Sequence, residues 1–174
     1  MYRNNMKFSV VIPTKNRIND LRKIIYSILI QNKKPNELLI VDQSDKNNFN
    51  ILKIIIQNKV KLKYFHKRNI QSLTAAKNFS LPLIKNDIIF FLEDDVILKK
   101  NYFNFLLEVF EKKKSILGVC GILVNERRIN NFSRLYNLFF LNGIFKDIRP
   151  SLWNSRSAKK FIYSDKISGG ISAW

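Results

Sequence analysis

Three consecutive acids, Glu93, Asp94 and Asp95, have the types and spacing that indicate chemistry most directly. They follow an apolar run, Ile88 to Leu92, which is rich in β-formers and typical of a strand buried on both faces of a parallel sheet. Adjacent carboxylates repel one another and are not buried without a partner, so we expect a cation beside them. Mg²⁺ or Mn²⁺ is typically held by one or two carboxylates together with substrate phosphate oxygens. The triplet therefore predicts a metal site, with a solvated acidic turn as the alternative.

The elements that must position these acids alternate along the chain. Apolar runs and periodicity predict strands at 8–13, 37–42, 60–66, 88–92 and 117–124. They predict helices at about 21–31, 49–56, 73–84 and 101–113, with Asn19 or Asp20 as the cap of the first helix. Such alternation indicates βαβ units. The predicted fold class is α/β, a mainly parallel sheet with helices on both faces.

Polar segments follow three of the predicted strands, and a parallel sheet brings the carboxyl ends of its strands to one edge. The segments are 14–17, 42–44 and 93–95. Asp42 can accept hydrogen bonds from a base or a ribose, and Arg17 can bind a phosphate in a bidentate contact or stack on a base. Together they predict a nucleotide site with a metal-bound diphosphate. A turn residue or helix cap is the alternative for Asp42, and a solvated cation is the alternative for Arg17.

Composition and missing motifs limit the other possibilities. The net charge of +18 indicates attraction to polyanions, although the basic residues are spread along the 174-residue chain, which has the length of one domain. The sequence has neither G-x-G-x-x-G nor G-x-x-x-x-G-K-[ST], which argues against a dinucleotide fold and a P-loop NTPase. With no apolar run of membrane-spanning length, any membrane contact is expected to be peripheral. The single cysteine, Cys120, suits a reducing cytoplasm.

Four segments resemble, in order, the motifs of family 2 glycosyltransferases, which have the GT-A fold, a Rossmann-like nucleotide-binding fold. The segments are Val10–Arg17, Leu39–Ser44, Leu73–Asn78 and Phe91–Val96. They cover roughly the first two-thirds of the chain, and the ordered set is more specific than any one motif. The resemblance implies one GT-A-like domain over residues 1–174, with its C-terminal part missing.

The resemblance also implies roles for individual residues. The residues implied to bind the nucleotide sugar are Pro13, Thr14, Arg17, Asp42, Ser44, Lys77, Asn78 and Asp94. Mn²⁺ or Mg²⁺ is implied at Asp95 with Glu93, although Glu93 stands where the family usually has Asp. Gly169 and Gly170 are implied to form a turn that faces donor and acceptor.

The implied reaction is metal-dependent, inverting displacement of a nucleoside diphosphate from its sugar by an acceptor hydroxyl, in cell-surface polysaccharide or glycan synthesis. The implied acceptor is a glycan or a lipid-linked molecule, and the expected location is the cytoplasm, peripheral at the inner face of the membrane. The family's catalytic base lies beyond the Gly-Gly turn, where this chain ends, and neither Asp147 nor Asp165 fits its motif. We therefore expect donor binding with slow transfer or none.

A basic module that binds nucleic acid or membranes without catalysis is the alternative function. Such a module should interleave its cations with exposed aromatic side chains. Phe90, Phe91, Phe103 and Phe110 instead occupy positions with core-like periodicity. The sequence therefore favours the transferase, and no specific nucleic-acid partner is expected.

Overall fold

A mixed sheet organises the part of the chain that the computed structural model describes, which is residues 6–113, 115–121 and 171–174. The strands are β1 (Phe8–Thr14), β2 (Glu37–Asp42), β3 (Lys61–His66), β4 (Ile88–Leu92), β5 (Val119–Cys120) and β6 (Ile171–Ala173). The helices are α1 (Ile18–Leu29), α2 (Phe49–Ile56), α3 (Leu73–Ser80) and α4 (Tyr102–Lys112). The described residues belong to one compact unit, and a single domain over residues 1–174 stays a prediction.

The strand order, β3-β2-β1-β4-β6-β5, places a topological switch at β1. The chain runs outward from β1 to β3 and returns on the other side of β1 as β4, with all of these pairings parallel. β6 pairs antiparallel with both β4 and β5. The predicted α/β class with a mainly parallel sheet is therefore confirmed. Ligands of such sheets bind outside the carboxyl ends of the strands at the switch point, here between β1 and β4.

Alternation along β1 sends its side chains into two separate cores. Phe8 and Ile12 enter the larger core, to which α1, α2 and α4 contribute buried side chains. Val11 enters a smaller core with Leu39 and Phe91, where α3 contacts the sheet. Burial on both faces explains why β1, β2 and β4 are nearly continuous apolar runs in the sequence.

The first helix begins earlier than the sequence predicts. α1 starts at Ile18, and no side-chain cap closes its first turn, so the prediction of a cap at Asn19 or Asp20 is wrong. Asp20 lies within the first turn and accepts a hydrogen bond of 2.8 Å from Lys23. The physical reason is Asn16, whose φ of 55° turns the chain into the helix before either predicted cap.

The third helix is shorter than the sequence predicts. α3 ends at Ser80, and residues 81–83 tighten into a 3₁₀ turn that contains Pro82, which has no N–H to extend an α-helix. At the other end the Ser72 hydroxyl caps α3 by accepting a hydrogen bond of 3.0 Å from the Ala75 N–H. None of the helices in the described residues has the length and apolar character needed to cross a membrane.

Candidate functional site

A cavity of about 540 Å³ lies outside the carboxyl ends of β1 and β4, at the switch point of the sheet. Six of its lining residues are predicted site residues, namely Pro13, Thr14, Arg17, Glu93, Asp94 and Asp95. Three more lining residues, Lys15, Gln43 and Leu73, were not assigned to the site from the sequence. The fold thus gathers the loop after β1 and the acidic triplet after β4 around one space.

Asp94 is the anchored member of the acidic triplet. Its side chain is only 8% exposed, and one carboxylate oxygen accepts a hydrogen bond of 2.7 Å from the Thr14 hydroxyl. The other oxygen lies 3.3 Å from the guanidinium of Arg17. The Thr14 carbonyl is held in turn by the Gln43 N–H at 2.8 Å. Asp94 therefore ties the ends of β1 and β4 together, and both of its oxygens have protein partners.

Asp95 is the exposed member that contacts the same guanidinium. Its side chain is 50% exposed and lies 3.0 Å from Arg17, whose side chain is 55% exposed. Asp94 and, more weakly, Asp95 raise the pKa of Arg17 above its usual value. Exposed ion pairs of this kind contribute little to stability. The contact between Arg17 and Asp95 can therefore be exchanged for a ligand at small cost.

The donor chemistry of the triplet fits a hard divalent cation such as Mn²⁺ or Mg²⁺. Among residues 6–113, 115–121 and 171–174, no group of three or more His, Cys, Asp or Glu side chains is arranged as a metal site. Such a cage is unnecessary when a diphosphate supplies the remaining oxygen ligands. Asp95 would hold the ion with Glu93, which lines the same cavity, while the anchored Asp94 orients the turn.

Of the two residues predicted on α3, Lys77 lies near the acids and Asn78 does not line the cavity. The Lys77 ammonium lies 5.4 Å from the centroid of the Phe91 ring, on the strand that leads to the triplet. Burial lowers the pKa of Lys77, and the charge of Glu93 acts in the opposite direction. Asn78 is exposed and is not among the cavity-lining residues, so its role stays a prediction without a supporting contact.

Asp42 ends β2 at the predicted edge, but its side chain is completely buried and does not line the cavity. One oxygen accepts hydrogen bonds from the Tyr64 hydroxyl at 2.6 Å and the Asn48 amide at 2.9 Å. The other oxygen accepts the Ser44 N–H at 2.9 Å. To read a base, Asp42 would have to exchange one of these partners. The base-reading role stays a prediction, and the observed contacts are those of a turn residue.

Asn16 joins the loops that follow β1 and β2. Its N–H donates to the Ser44 hydroxyl at 2.7 Å, and its side-chain amide exchanges two hydrogen bonds of 3.0 Å with Asp45. Ser44 is buried and anchors this junction rather than lining the cavity. The junction fixes the backbone from which Arg17 reaches the two aspartates.

The three lining residues without a predicted role differ in whether the sequence pattern points to them. Lys15 and Gln43 lie in the segments 14–17 and 42–44, which the strand-end argument places at this edge, but neither was given a role of its own. Leu73 begins the segment Leu73–Asn78 but was given no role of its own, because an apolar residue at helical spacing is typical of the core. Other predicted site residues, Gly169 and Gly170, lie outside the described residues, as do Asp147 and Asp165.

A mainly parallel sheet with a cavity and an acidic turn at its switch point is the arrangement expected of a GT-A-like fold. The family model described as glycosyl transferase family 2 matches residues 9–170. The chain therefore belongs to glycosyltransferase family 2.

Relatives and solved structures agree with this assignment. The chain is 34% identical over 168 residues to the GalNAc(5)-diNAcBac-PP-undecaprenol beta-1,3-glucosyltransferase of Campylobacter jejuni, covering 94% of this chain and 49% of that protein. It is 34% identical over 115 residues to an uncharacterized glycosyltransferase of Rickettsia conorii, covering 66% of this chain and 19% of that protein. The chain thus spans less than half the length of these relatives.

The fold is also that of solved glycosyltransferases. The structure of S. aureus TarS 1-349 matches with a TM-score of 0.61 at 22% identity, covering 72% of this chain and 38% of that one. The mannosyltransferase PcManGT of Pyrobaculum calidifontis, solved with GDP-Man and Mn²⁺, matches with a TM-score of 0.60 at 14% identity, covering 67% of this chain and 35% of that one. At these identities the likeness concerns the fold.

Proposed function

We propose that this chain binds a nucleoside diphosphate sugar together with Mn²⁺ or Mg²⁺ and serves in transfer of the sugar to an acceptor hydroxyl. The observation that carries the proposal is the shared cavity at the switch point, where Asp94 and Asp95 face the cation of Arg17. Membership of glycosyltransferase family 2 supports the transferase over a basic binding module. The Mn²⁺ and GDP-Man of the mannosyltransferase neighbour support a metal-bound nucleotide sugar.

Different residues around the cavity are proposed to bind different parts of the donor and its metal. Asp95 and Glu93 would hold the divalent cation, which would neutralise charge on the leaving diphosphate when bound. Lys15 and Arg17 line the same space and supply positive charge to phosphate oxygens. Thr14 holds Asp94, and through it the turn, in a fixed orientation at 2.7 Å. Positive charge that is held in place in this way stabilises the negative charge that develops on the diphosphate as its bond to the sugar breaks.

The sugar transfer itself is a direct displacement at the anomeric carbon, which inverts the configuration there. The acceptor oxygen forms the new glycosidic bond, the bond to the diphosphate breaks, and a carboxylate takes the acceptor's proton. Asp147 and Asp165, the acids weighed for that role, lie outside the described residues.

A glycan or lipid-linked acceptor is part of the same proposal. The name of the Campylobacter relative contains an undecaprenol-diphosphate-linked glycan, which supports an acceptor carried by a lipid. An acceptor of that kind is held at a membrane surface, and the net charge of +18 favours association with an anionic surface. The proposed location is therefore the cytoplasmic face of a membrane, with peripheral contact.

Thermal shift measurements test the donor proposal. UDP-glucose, UDP-GlcNAc and GDP-mannose are each added with and without Mn²⁺, and we expect at least one of them to raise the Tm only when the metal is present. Asp95→Asn should abolish that metal-dependent shift because it removes the exposed carboxylate. Asp87→Asn is the matched control, since Asp87 is an exposed aspartate just before β4, away from the cavity. Equal shifts in the parent and Asp95→Asn would reject this site.

A further inference from the structure

Arg17 contacts both aspartates of the cavity at the same time. One guanidinium nitrogen, Nη1, lies 3.3 Å from Oδ1 of Asp94 and 3.0 Å from Oδ2 of Asp95. Because a single nitrogen bridges the two carboxylates, the positive charge lies against Asp95, the carboxylate that a divalent cation would approach. A guanidinium and a metal ion at that position would repel each other, and they would compete for the same oxygens.

The backbone of Arg17 is fixed although its side chain is exposed. The preceding residue, Asn16, is held by Ser44 at 2.7 Å and by Asp45 at 3.0 Å. The Arg17 carbonyl accepts the Leu21 N–H at 2.9 Å in the first turn of α1. The half-exposed side chain can therefore leave the aspartates by rotation about its own bonds, without any rearrangement of the loop.

We propose that Arg17 is an exchangeable counter-ion that couples metal binding to nucleotide binding. With no diphosphate bound, the guanidinium neutralises Asp94 and Asp95 and weakens the binding of a metal ion. A diphosphate offers the guanidinium a second anionic partner in the same cavity, to which it can bind through paired N–H groups. Transfer of Arg17 to the phosphate oxygens leaves Asp95 available to the metal, so each ligand strengthens the binding of the other.

This inference rests on the proposed function for the identity of the two ligands, but it predicts something that the function does not require. A donor site in which Arg17 only binds phosphate would lose nucleotide affinity in an Arg17 variant, with no gain in metal affinity. The exchange predicts that the affinity for metal alone and the affinity for nucleotide change in opposite directions. Removing the guanidinium should tighten the binding of metal alone and weaken the metal-dependent binding of nucleotide.

Titration of Mn²⁺, with free ion measured by electron paramagnetic resonance, tests the exchange. The parent, Arg17→Met and Lys15→Met are each titrated alone, with UDP and with GDP, after circular dichroism has confirmed folding. Lys15→Met is the matched control, since Lys15 also lines the cavity but is absent from the ion pairs of Asp94 and Asp95. Loss of the bridging charge in Arg17→Met should tighten binding of Mn²⁺ alone by about tenfold, and Lys15→Met should change it much less.

The coupling between the ligands should change in the same experiment. In the parent, UDP or GDP should tighten Mn²⁺ binding strongly, and in Arg17→Met this enhancement should shrink. If Arg17→Met binds Mn²⁺ alone no more tightly than Lys15→Met does, the exchange is rejected while the metal-dependent donor site stands. If neither the parent nor the variants bind Mn²⁺ under any of the three conditions, the metal dependence of the proposed function is rejected as well.

Discussion

Asp42 at the end of β2 and Asp95 just beyond β4 stand at the same edge of the sheet and have opposite surroundings. Asp42, at the end of β2, is fully buried and accepts hydrogen bonds from a tyrosine, an asparagine and a backbone N–H. Asp95, beyond β4, is half exposed and contacts one exposed arginine. The difference teaches that a strand-end position alone does not make a carboxylate a ligand. The partners that already hold its oxygens decide whether a ligand can reach it.

The topology of the sheet explains why the two ends differ. β2 lies between β1 and β3, so the side chain of Asp42 meets Tyr64 of β3 and the turn that leads into α2. β4 lies across the switch point from β2, and the residues that follow it face the cavity instead. Burial of Tyr64 and the charge of Asp42 both raise the pKa of the tyrosine, which keeps the phenol a donor to the carboxylate. The β2 end is thus closed by protein donors.

The largest expected effect is a loss of stability when the carboxylate of Asp42 is removed from the end of β2. Asp42→Ala leaves the Tyr64 hydroxyl, the Asn48 amide and the Ser44 N–H without their acceptor. The Ser44 N–H is buried and the other two donors are half-buried, so their loss of a charged acceptor should lower the free energy of unfolding by about 3 kcal/mol. Urea denaturation measures this change. Asp95→Ala is the control at the open end, where loss of an exposed ion pair should cost at most about 1 kcal/mol. Equal losses in the two variants would contradict the comparison.

The exposed acidic turn after β4 could be predicted from the sequence, and the buried hydrogen bonds of Asp42 at the end of β2 could not. An apolar run followed by three acids specifies a buried strand and an acidic turn through local pattern alone, and the parallel topology then brings Thr14 and Arg17 to that turn. The partners of Asp42 depend on tertiary pairing, because Tyr64 comes from the neighbouring strand, 22 residues away. No periodicity indicates that contact. The start of α1 escaped prediction for a similar reason, since the backbone of Asn16 is set by hydrogen bonds to Ser44 and Asp45 in another loop.

The next largest effect on stability is expected at the opposite end of β2, where Glu37 is buried beside Lys63. Its carboxylate lies 2.7 Å from the Lys63 ammonium and 2.7 Å from the Ser9 hydroxyl. Burial raises the pKa of Glu37, but hydrogen bonds from Lys63, Ser9 and the Lys85 N–H outweigh it, so the pKa is lowered below the usual 4.5. We expect Glu37→Gln to lower the free energy of unfolding by about 2 kcal/mol at neutral pH.

The pH dependence of that loss follows from the sign of the shift. A lowered pKa in the folded state gives stability that is fully present above pH 4.5 and is lost as the pH falls through the folded pKa. The difference between parent and Glu37→Gln should therefore shrink in acid, as measured by urea denaturation across that range. Glu108→Gln removes an exposed partner of Lys112 and should change stability little at any pH. A Glu37→Gln deficit that is constant with pH would exclude an ionised Glu37 as its source.

The smallest effect tests which residue at the β2 end meets the nucleotide. Gln43 lines the cavity, and its Nε2 donates to the Ser72 carbonyl at 3.2 Å, which leaves Oε1 as the amide atom able to accept a base N–H or a ribose hydroxyl. A neutral hydrogen bond contributes about 1 kcal/mol, so Gln43→Ala should weaken UDP or GDP binding by roughly fivefold in calorimetry. Pyrophosphate, which has no base or ribose, should bind the parent and the variant alike.

Asp42→Asn keeps the size of the side chain at the end of β2 and should leave the nucleotide affinity of the folded protein unchanged. The reverse pattern, with nucleotide affinity lost in Asp42→Asn and kept in Gln43→Ala, would restore Asp42 as the base-reading residue. It would also mean that a fully buried, hydrogen-bonded carboxylate can give up a protein partner when the nucleotide arrives.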